Sequence, residues 1–274
     1  VITNVAESPD AVRGADEVYV EFSDGGRAPA TVVGWDLFND TGVVKVEPRE
    51  HALLPVPLGD SDLARVGNPV AAIGSPFGKQ SSLAVGVVSA TGRTIDSLTS
   101  GFTIADAIQI DAPINRGNSG GPLFDARGRV IWINAQIQSA SGTAEGVGFA
   151  VPINSARRSL AQLIRSGKVE YAYVGIESQD VTPSVAAALG LAARRGALVV
   201  RVRPGTPAAA AGLRPGSGTR SIDGVEVTVG GDLIVAIAGR PVRSSDDVGR
   251  VVAGTLRPGQ TVPFGVVRDG RRVD

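Results

Sequence analysis

The strongest chemical signal in the sequence is a serine that lies among glycines, in the segment Asn115–Leu123 (NRGNSGGPL). A nucleophilic serine needs an exposed hydroxyl on a tight turn and backbone N–H groups that face the developing oxyanion. Glycines allow such a turn because they have no Cβ and adopt positive φ without a steric penalty. We therefore predict that Ser119 is a nucleophile and that the N–H groups of Gly117 and Ser119 form an oxyanion hole. The alternative interpretation is a glycine-rich turn without chemistry.

The composition limits the chemistry that can accompany this serine. The 274 residues include no cysteine and one histidine, which excludes thiolate sites and any site with two imidazoles. Lys and Arg number 27 and Asp and Glu also number 27, so we expect no nucleic-acid partner. We expect neither a metal nor a cofactor. Methionine is absent even from the first position, so we expect that the chain begins within a longer product.

Short apolar runs separated by turns predict β structure before Pro152. Many short strands with little helix between them favour an antiparallel barrel or sandwich. The expected strands are Val18–Phe22, Ala30–Gly34, Val43–Val46, Val70–Gly74, Leu83–Thr91, Val130–Ile133 and Gly146–Val151.

A helix is predicted directly after these strands, because apolar residues recur at helical spacing within Ala156–Ile164. We expect Asn154 or Ser155 to cap its start and Gly167 to end it. The domain boundary is placed beyond this helix. The first domain is expected to be 1–168 and the second to be 169–274, in line with about 150 residues per domain.

The second domain is predicted to be small and to mix strands with helices. The expected strands are Val174–Glu177, Ala197–Val202, Asp232–Ala236 and Thr261–Arg268. The expected helices are Pro183–Leu189 and Ser244–Leu256, with Ser244 as N-cap.

The segments around the serine together resemble the HtrA/Deg family of serine proteases. The resemblance is carried by NDTGVVKV (39–46), GNSGGPL (117–123) and GVGFAVP (146–152), and it covers nearly all of 1–170. It implies a mainly β chain, with a trypsin-like double antiparallel β-barrel followed by a small α+β PDZ domain. It also implies that Asp40 is the aspartate that orients the catalytic histidine.

The histidine of this triad is absent from the place that the resemblance implies. The family has Thr-Asn-x-His-Val near the start of the barrel, and this chain has TNVA at 3–6. Either Ala6 has replaced the histidine or a few residues have been lost after Asn4. The single histidine, His51, falls in a segment that resembles the connector between the two barrels, so we expect a surface loop residue. We therefore expect an inactive or nearly inactive protease, whose first barrel is incomplete at its N-terminus.

Two further segments resemble peptide-binding elements of the family. The first matches the strand that pairs with substrate backbone, and an ordinary barrel strand is its alternative interpretation. It consists of Asn134, Ala135, Gln136 and Ile137. The second matches the PDZ loop that binds a terminal carboxylate through backbone N–H groups, together with the start of the peptide-pairing strand. It consists of Tyr173, Val174, Gly175 and Ile176.

Two residues near the serine depart from the family pattern. Trp132 replaces a usual glycine beside the substrate strand, and it either packs in the core or narrows the specificity pocket. Arg116 stands where the family commonly has proline or another residue before Gly-Asn-Ser. The sequence does not decide what these two changes do.

The resemblance implies an ATP-independent endopeptidase that acts on unfolded or misfolded proteins. It further implies a homotrimer outside the cytoplasm, in the periplasm or cell envelope, with C-terminal peptides bound in the PDZ groove. A membrane tether upstream of Val1 is compatible with this expectation. The alternative, which follows from the absent histidine, is a pseudoprotease that binds peptides as a chaperone or scaffold.

Overall fold

The chain divides into two compact units, Val1–Val169 and Glu170–Asp274. A computed structural model describes residues 5–8, 11–13, 17–47, 53–75, 82–96, 103–115, 117–137 and 147–273. Several residues named above lie outside this part of the chain: Thr3, Asn4, His51 and Arg116. Of the helices that the described residues form, none is long and apolar enough to cross a bilayer.

The first unit begins with two small antiparallel sheets. Strands β1 (Val5–Ser8) and β2 (Ala11–Arg13) pair as a hairpin. Strands β3 (Val18–Glu21), β4 (Arg27–Asp36) and β5 (Thr41–Val46) form a three-stranded sheet in that order. The turn between β4 and β5 contains Asp40, so this sheet positions the residue that the resemblance assigns to the triad.

The next six strands close into an antiparallel barrel, with the order β10–β11–β8–β7–β6–β9. The strands are β6 (Pro69–Gly74), β7 (Ser82–Asp96), β8 (Thr103–Ile110), β9 (Pro122–Asp125), β10 (Val130–Ile137) and β11 (Gly148–Pro152). The mainly β fold with an antiparallel barrel is thus confirmed. The sequence pattern does not predict β8, because Asp106 and Gln109 interrupt its apolar run.

Trp132 lies in the centre of this barrel. It is 2% exposed and belongs to the same apolar cluster as Val70, Ile108 and Leu123. Its backbone lies opposite Pro152 on one side and Leu123 on the other. The structure therefore confirms the first interpretation of this tryptophan, which is packing in the core.

Helix α1 (Ile153–Ser166) follows the barrel and ends at Gly167, as the sequence predicts. Gly167 has a φ of 68°, and its N–H donates to the Leu163 carbonyl at 2.8 Å. The predicted cap by Asn154 or Ser155 is wrong, because Pro152 is the N-cap and makes no side-chain capping bond. Asn154 instead donates its side-chain amide to Asp60 at 2.7 Å, which ties the helix to the connector before the barrel.

The second unit is built on a sheet with the order β12–β13–β16–β18–β19, to which β17 adds beside β16. Its strands are β12 (Ile176–Val181), β13 (Gly196–Val202), β16 (Leu233–Ile237), β17 (Arg240–Pro241), β18 (Phe264–Arg268) and β19 (Arg271–Val273). Its helices are α2 (Pro183–Leu189), α3 (Pro207–Ala210) and α4 (Ser245–Thr255). Val248 and Val251 of α4 pack with Ala197 and Val199 of β13 in one core. Ser244 caps α4 by accepting from the Asp247 N–H, as predicted.

A separate hairpin in the second unit is not among the strands predicted from the sequence. It consists of β14 (Gly218–Ile222) and β15 (Val225–Val229), which pair antiparallel through a turn at Asp223-Gly224. An Asp-Gly pair between strands is a recognised hairpin signal, and both residues here have positive φ. The alternating valines of β15 are a further strand signal, so this hairpin could have been predicted from the sequence.

Replacing Trp132 by alanine is expected to lower the free energy of unfolding of the first unit by about 3–5 kcal/mol. The reason is that the substitution leaves a cavity among side chains that cannot collapse fully around it. Urea denaturation followed by circular dichroism measures the change. The control is Leu54→Ala, because Leu54 is 89% exposed and its removal should leave stability nearly unchanged. Equal stabilities of the two variants would contradict the core assignment.

Candidate active site and peptide groove

Ser119 is exposed at the centre of a tight turn between β8 and β9. Gly117 and Gly120, on either side of it, have φ values of 101° and 78°, which a residue with a Cβ adopts only with strain. The Asn118 N–H donates to the Asn115 carbonyl at 3.0 Å, and the Gly121 N–H donates to the Asn118 carbonyl at 2.9 Å. The chain therefore reverses around Ser119 and leaves its hydroxyl on the surface.

Strands β6 and β10 hold this turn in place. The Gly120 N–H donates to the Asn134 carbonyl at 2.6 Å, and the Asn134 N–H donates to the Gly121 carbonyl at 2.9 Å. On the other side, the Ser75 N–H donates to the Gly117 carbonyl at 3.1 Å. The turn is thus fixed by backbone bonds to both neighbouring strands of the barrel.

Close packing explains two of the glycines at this turn. A Cβ on Gly121 would lie 2.3 Å from the Ile73 carbonyl oxygen, and one on Gly74 would lie 2.4 Å from Asn118 Oδ1. Contacts that short do not occur for real side chains, so both positions require glycine. Gly121, which follows the serine motif, is therefore needed for the approach of β6.

The two N–H groups that could bind an oxyanion are available. Within the part of the chain that the structure describes, neither the Gly117 N–H nor the Ser119 N–H donates to an acceptor. Both belong to the turn that presents the hydroxyl. The arrangement has the parts that acyl transfer requires at the nucleophile: an exposed oxygen and two adjacent unpaired donors.

Asp40 lies at the end of the turn between β4 and β5, half-buried and with a φ of 48°. The residue that organises this turn is Asp36, which is 2% exposed. One Asp36 oxygen accepts from the N–H groups of Phe38 and Asn39 at 3.0 and 3.3 Å. The other accepts from the Asn39 amide and from the Ser159 hydroxyl of α1. Sequence reasoning missed Asp36, although an Asx turn before Asp40 could have indicated it.

The candidate substrate strand is only partly open. Asn134 is buried, and both of its backbone groups bond to the serine turn as described above. The pairing between β9 and β10 ends at Ile133. Among the described strands, the stretch 135–137 therefore has β11 on one side and no strand on the other.

The hairpin that follows the serine turn is secured by a charged pair. Burial by itself would raise the pKa of Asp125. Hydrogen bonds from Arg129 and from the Arg127 N–H lower the pKa by more than burial raises it. The pKa of this carboxyl therefore lies below its usual value. Arg129 Nη2 lies 2.7 Å from the carboxylate, so Asp125 is charged and bridges the two ends of the β9–β10 turn.

In the second unit, the predicted carboxylate-binding loop ends where β12 begins, at Ile176. The predicted strand start at Val174 is wrong, because Gly175 has a φ of 85° and turns the chain. A Cβ on Gly175 would lie 2.4 Å from the Thr206 side chain, so α3 packs directly against this turn. Within the described residues, the N–H groups of Val174 and Gly175 donate to no acceptor.

Strand β12 is an edge of its sheet, since among the described strands it pairs only with β13. Ile176, at its start, packs against the apolar cluster that includes Val248 and Val251 of α4. Asp180, near its end, accepts from the Ser245 N–H at the start of α4 at 2.7 Å. An open strand edge and a helix therefore lie next to unpaired N–H groups, which is an arrangement suited to an extended peptide.

Comparisons with known proteins agree with both units. Residues 1–133 match the trypsin-like peptidase domain, and residues 172–274 match the PDZ domain. The chain is thus a trypsin-like serine peptidase unit followed by a PDZ unit.

Solved structures identify the family more closely. An HtrA-type protease AlgW with a bound tripeptide is 37% identical, covers 95% of this chain and 79% of that chain, and has a TM-score of 0.77. AlgW with a decapeptide is also 37% identical, covers 95% and 74%, and has a TM-score of 0.73. A serine endoprotease from Yersinia pestis is 29% identical, covers 94% and 78%, and has a TM-score of 0.63. The chain belongs to the HtrA family of trypsin-like serine proteases.

Longer relatives are similar to this chain over part of their length. A probable periplasmic serine endoprotease, DegP-like, from Brucella suis biovar 1 (strain 1330) is 37% identical over 97% of this chain and 48% of its own length. The protein of the same name from Pseudomonas putida (strain GB-1) is 39% identical over 95% of this chain and 50% of its own length. The chain spans about half the length of these curated relatives.

Gly121→Ala is expected to destabilise the first unit by about 1–3 kcal/mol, because the added methyl group has no space beside the Ile73 carbonyl. Thermal unfolding followed by circular dichroism measures this change. Ser119→Ala is the matched control on the same turn, since the exposed hydroxyl supports no part of the fold. If Gly121→Ala unfolds at the same temperature as the unmodified chain, the close approach of β6 to the turn is wrong.

Proposed function

We propose that this chain is the protease and PDZ part of an HtrA-type protein that handles unfolded or misfolded proteins without ATP, in the periplasm or cell envelope. The observation that carries the proposal is the exposed Ser119 with two unpaired N–H groups in the same turn. The names of the relatives, which are periplasmic serine endoproteases, support the class of activity and the location. A homotrimer is part of the proposal, by analogy with the family.

In the proposed mechanism, which a histidine would complete, the Ser119 oxygen attacks the scissile carbonyl of an extended peptide while its proton passes to that histidine. The histidine then gives the proton to the leaving amine as the C–N bond breaks, and water hydrolyses the acyl-enzyme to release the acid and restore Ser119. The carbonyl oxygen becomes an oxyanion and accepts hydrogen bonds from the N–H groups of Gly117 and Ser119, which strengthen as its charge develops. The backbone of the substrate pairs with Ala135, Gln136 and Ile137 beyond Asn134 of β10. Asp40 has the role of orienting a histidine and stabilising its charged form.

The histidine that this mechanism needs is missing from the sequence near Asn4, and His51 is the single histidine in the chain. A serine hydroxyl is a weak nucleophile unless a base removes its proton. In subtilisin, loss of the histidine alone lowers kcat by a factor of about 2 × 10⁶. We therefore infer that the chain as it stands binds polypeptides and hydrolyses them at a negligible rate.

A second candidate function, a pseudoprotease that acts as a chaperone or scaffold, is favoured by the same absence. In that case the peptide sites of both units remain in use and Ser119 has no catalytic role. The two functions differ in what a restored histidine does. In a dormant protease, a restored histidine rebuilds a working triad. In a diverged pseudoprotease, it restores no activity, because more than one catalytic group has been lost.

The unmodified chain is expected to degrade no casein and to leave Ser119 unlabelled by a fluorophosphonate probe, because no base activates the hydroxyl. Two variants test whether the rest of the site is intact. They are Ala6→His and a chain with one histidine inserted between Asn4 and Val5. One of the two variants, the one that places the histidine in the correct register, should cleave casein and label at Ser119, and adding Ser119→Ala should abolish both signals.

Two results would overturn parts of this proposal. Casein cleavage by the unmodified chain that disappears in Ser119→Ala would show that the inferred loss of activity is wrong. If neither histidine variant cleaves or labels while circular dichroism shows a native fold, the dormant protease is rejected in favour of the pseudoprotease.

The second unit is expected to bind peptides through their free C-terminal carboxylate, to which the N–H groups of Val174 and Gly175 would donate hydrogen bonds. Fluorescence anisotropy with a labelled hexapeptide that ends in valine measures this binding. The same peptide with a C-terminal amide should bind at least about tenfold more weakly, because it lacks the charge that the two donors stabilise. Equal affinity of the acid and the amide would contradict carboxylate capture.

A further inference from the structure

Strand β12 presents different chemistry on its two faces. Ile176 belongs to the apolar cluster beneath α4, so the side chains that share its face point towards the helix. Glu177 is the next residue, and successive side chains of a strand point to opposite faces. Glu177 therefore lies on the face of the strand away from α4.

Glu177 shares this face with two arginines of the neighbouring strand. Arg201 lies directly opposite Glu177 in the β12–β13 pairing, and Arg203 follows at the end of β13. Arg201 Nη1 lies 3.5 Å from Glu177 Oε1, and Arg203 Nη2 lies 3.4 Å from the same oxygen. Arg203 also adjoins the carboxylate-binding loop, because its N–H donates to the Gly175 carbonyl at 2.9 Å.

The carboxylate of Glu177 can balance only one of the two positive charges that Arg201 and Arg203 bring to it. Two guanidinium groups share one carboxylate oxygen, so the cluster has a net charge of about +1. Each guanidinium has five N–H donors, and among the described residues neither arginine side chain has another partner. Their side chains are 69% and 60% exposed, so they can reach a ligand without losing a buried contact.

The position of a bound peptide follows from the loop and the strand. If its carboxylate is held by the Val174 and Gly175 N–H groups, its last residue lies beside Ile176 and the chain runs antiparallel to β12. The penultimate residue then lies opposite Glu177, and residues opposite each other in a ladder point to the same face. Its side chain therefore meets the Glu177–Arg201–Arg203 cluster.

We propose that this cluster is a specificity subsite for the penultimate residue, and that it selects peptides with Asp or Glu at that position. The two guanidinium groups share the single carboxylate of Glu177. An acidic side chain of the peptide would add a second carboxylate with which they can pair. A lysine there adds a third cation to the cluster. The inference rests on the proposed capture of C-terminal peptides in this groove and adds a charge preference to it.

The test compares three labelled hexapeptides with the sequence Gly-Gly-Ala-Ala-X-Val and a free carboxylate, where X is Asp, Ala or Lys. Fluorescence anisotropy with the full chain gives each Kd. We expect the Asp peptide to bind about three- to tenfold more tightly than the Lys peptide at physiological ionic strength. The ratio should fall towards one in 0.5 M salt, because these charges are exposed and become screened.

A double variant, Arg201→Gln with Arg203→Gln, should abolish or reverse the preference, since Glu177 then stands alone. The matched control is Arg271→Gln with Arg272→Gln on β19, which removes the same charge at the opposite edge of the sheet. That edge is four strand spacings away, roughly 19 Å, and lies beyond the Debye length at physiological salt. The control should keep the preference of the unmodified chain.

The outcomes separate this subsite from the groove itself. If no peptide binds, the capture of C-terminal peptides fails and the subsite fails with it. If all three peptides bind with equal Kd, the groove stands and the charge preference is rejected. A preference that survives the Arg201 and Arg203 substitutions also rejects it, because another group would then be responsible.

Discussion

The candidate active site depends on one packing constraint, the approach of three backbone segments without intervening side chains. The serine turn bonds to β10 through Gly120 and Gly121, and β6 approaches so closely that Gly121 and Gly74 leave no room for a Cβ. These contacts fix the turn and leave the hydroxyl of Ser119 exposed. Local conformation and barrel packing thus require the same short run of glycines.

Helix α1 has a comparable role for the turn that contains Asp40. Its start is tied to Asp60 through Asn154, and its middle is tied to Asp36 through Ser159. Asp36 in turn orders the backbone of the turn that ends at Asp40. The helix that follows the barrel therefore stabilises the β3–β5 sheet that precedes it and ties that sheet to the connector before the barrel.

The comparison of sequence and structure shows where local signals suffice. The end of α1 at Gly167 and the cap of α4 at Ser244 follow from the properties of single residues. The failed cap prediction at Asn154 has a physical cause, since its side chain bonds to Asp60, which lies far away in the sequence. Strand β8 was hidden because Asp106 and Gln109 interrupt its apolar run. The hairpin β14–β15 was missed although Asp223-Gly224 precedes the alternating valines of β15.

The sequence alone determined the class of the site. A serine among glycines indicates the candidate nucleophile and carries the likeness to the family, and the count of one histidine raises the question of catalysis. Only the tertiary structure decided that Trp132 fills the barrel, that Asp36 organises the Asp40 turn, and that two arginines meet Glu177 on the edge strand β12. Those contacts join residues that are distant in the chain, and pairing of that kind depends on strand register and packing, which no local pattern encodes.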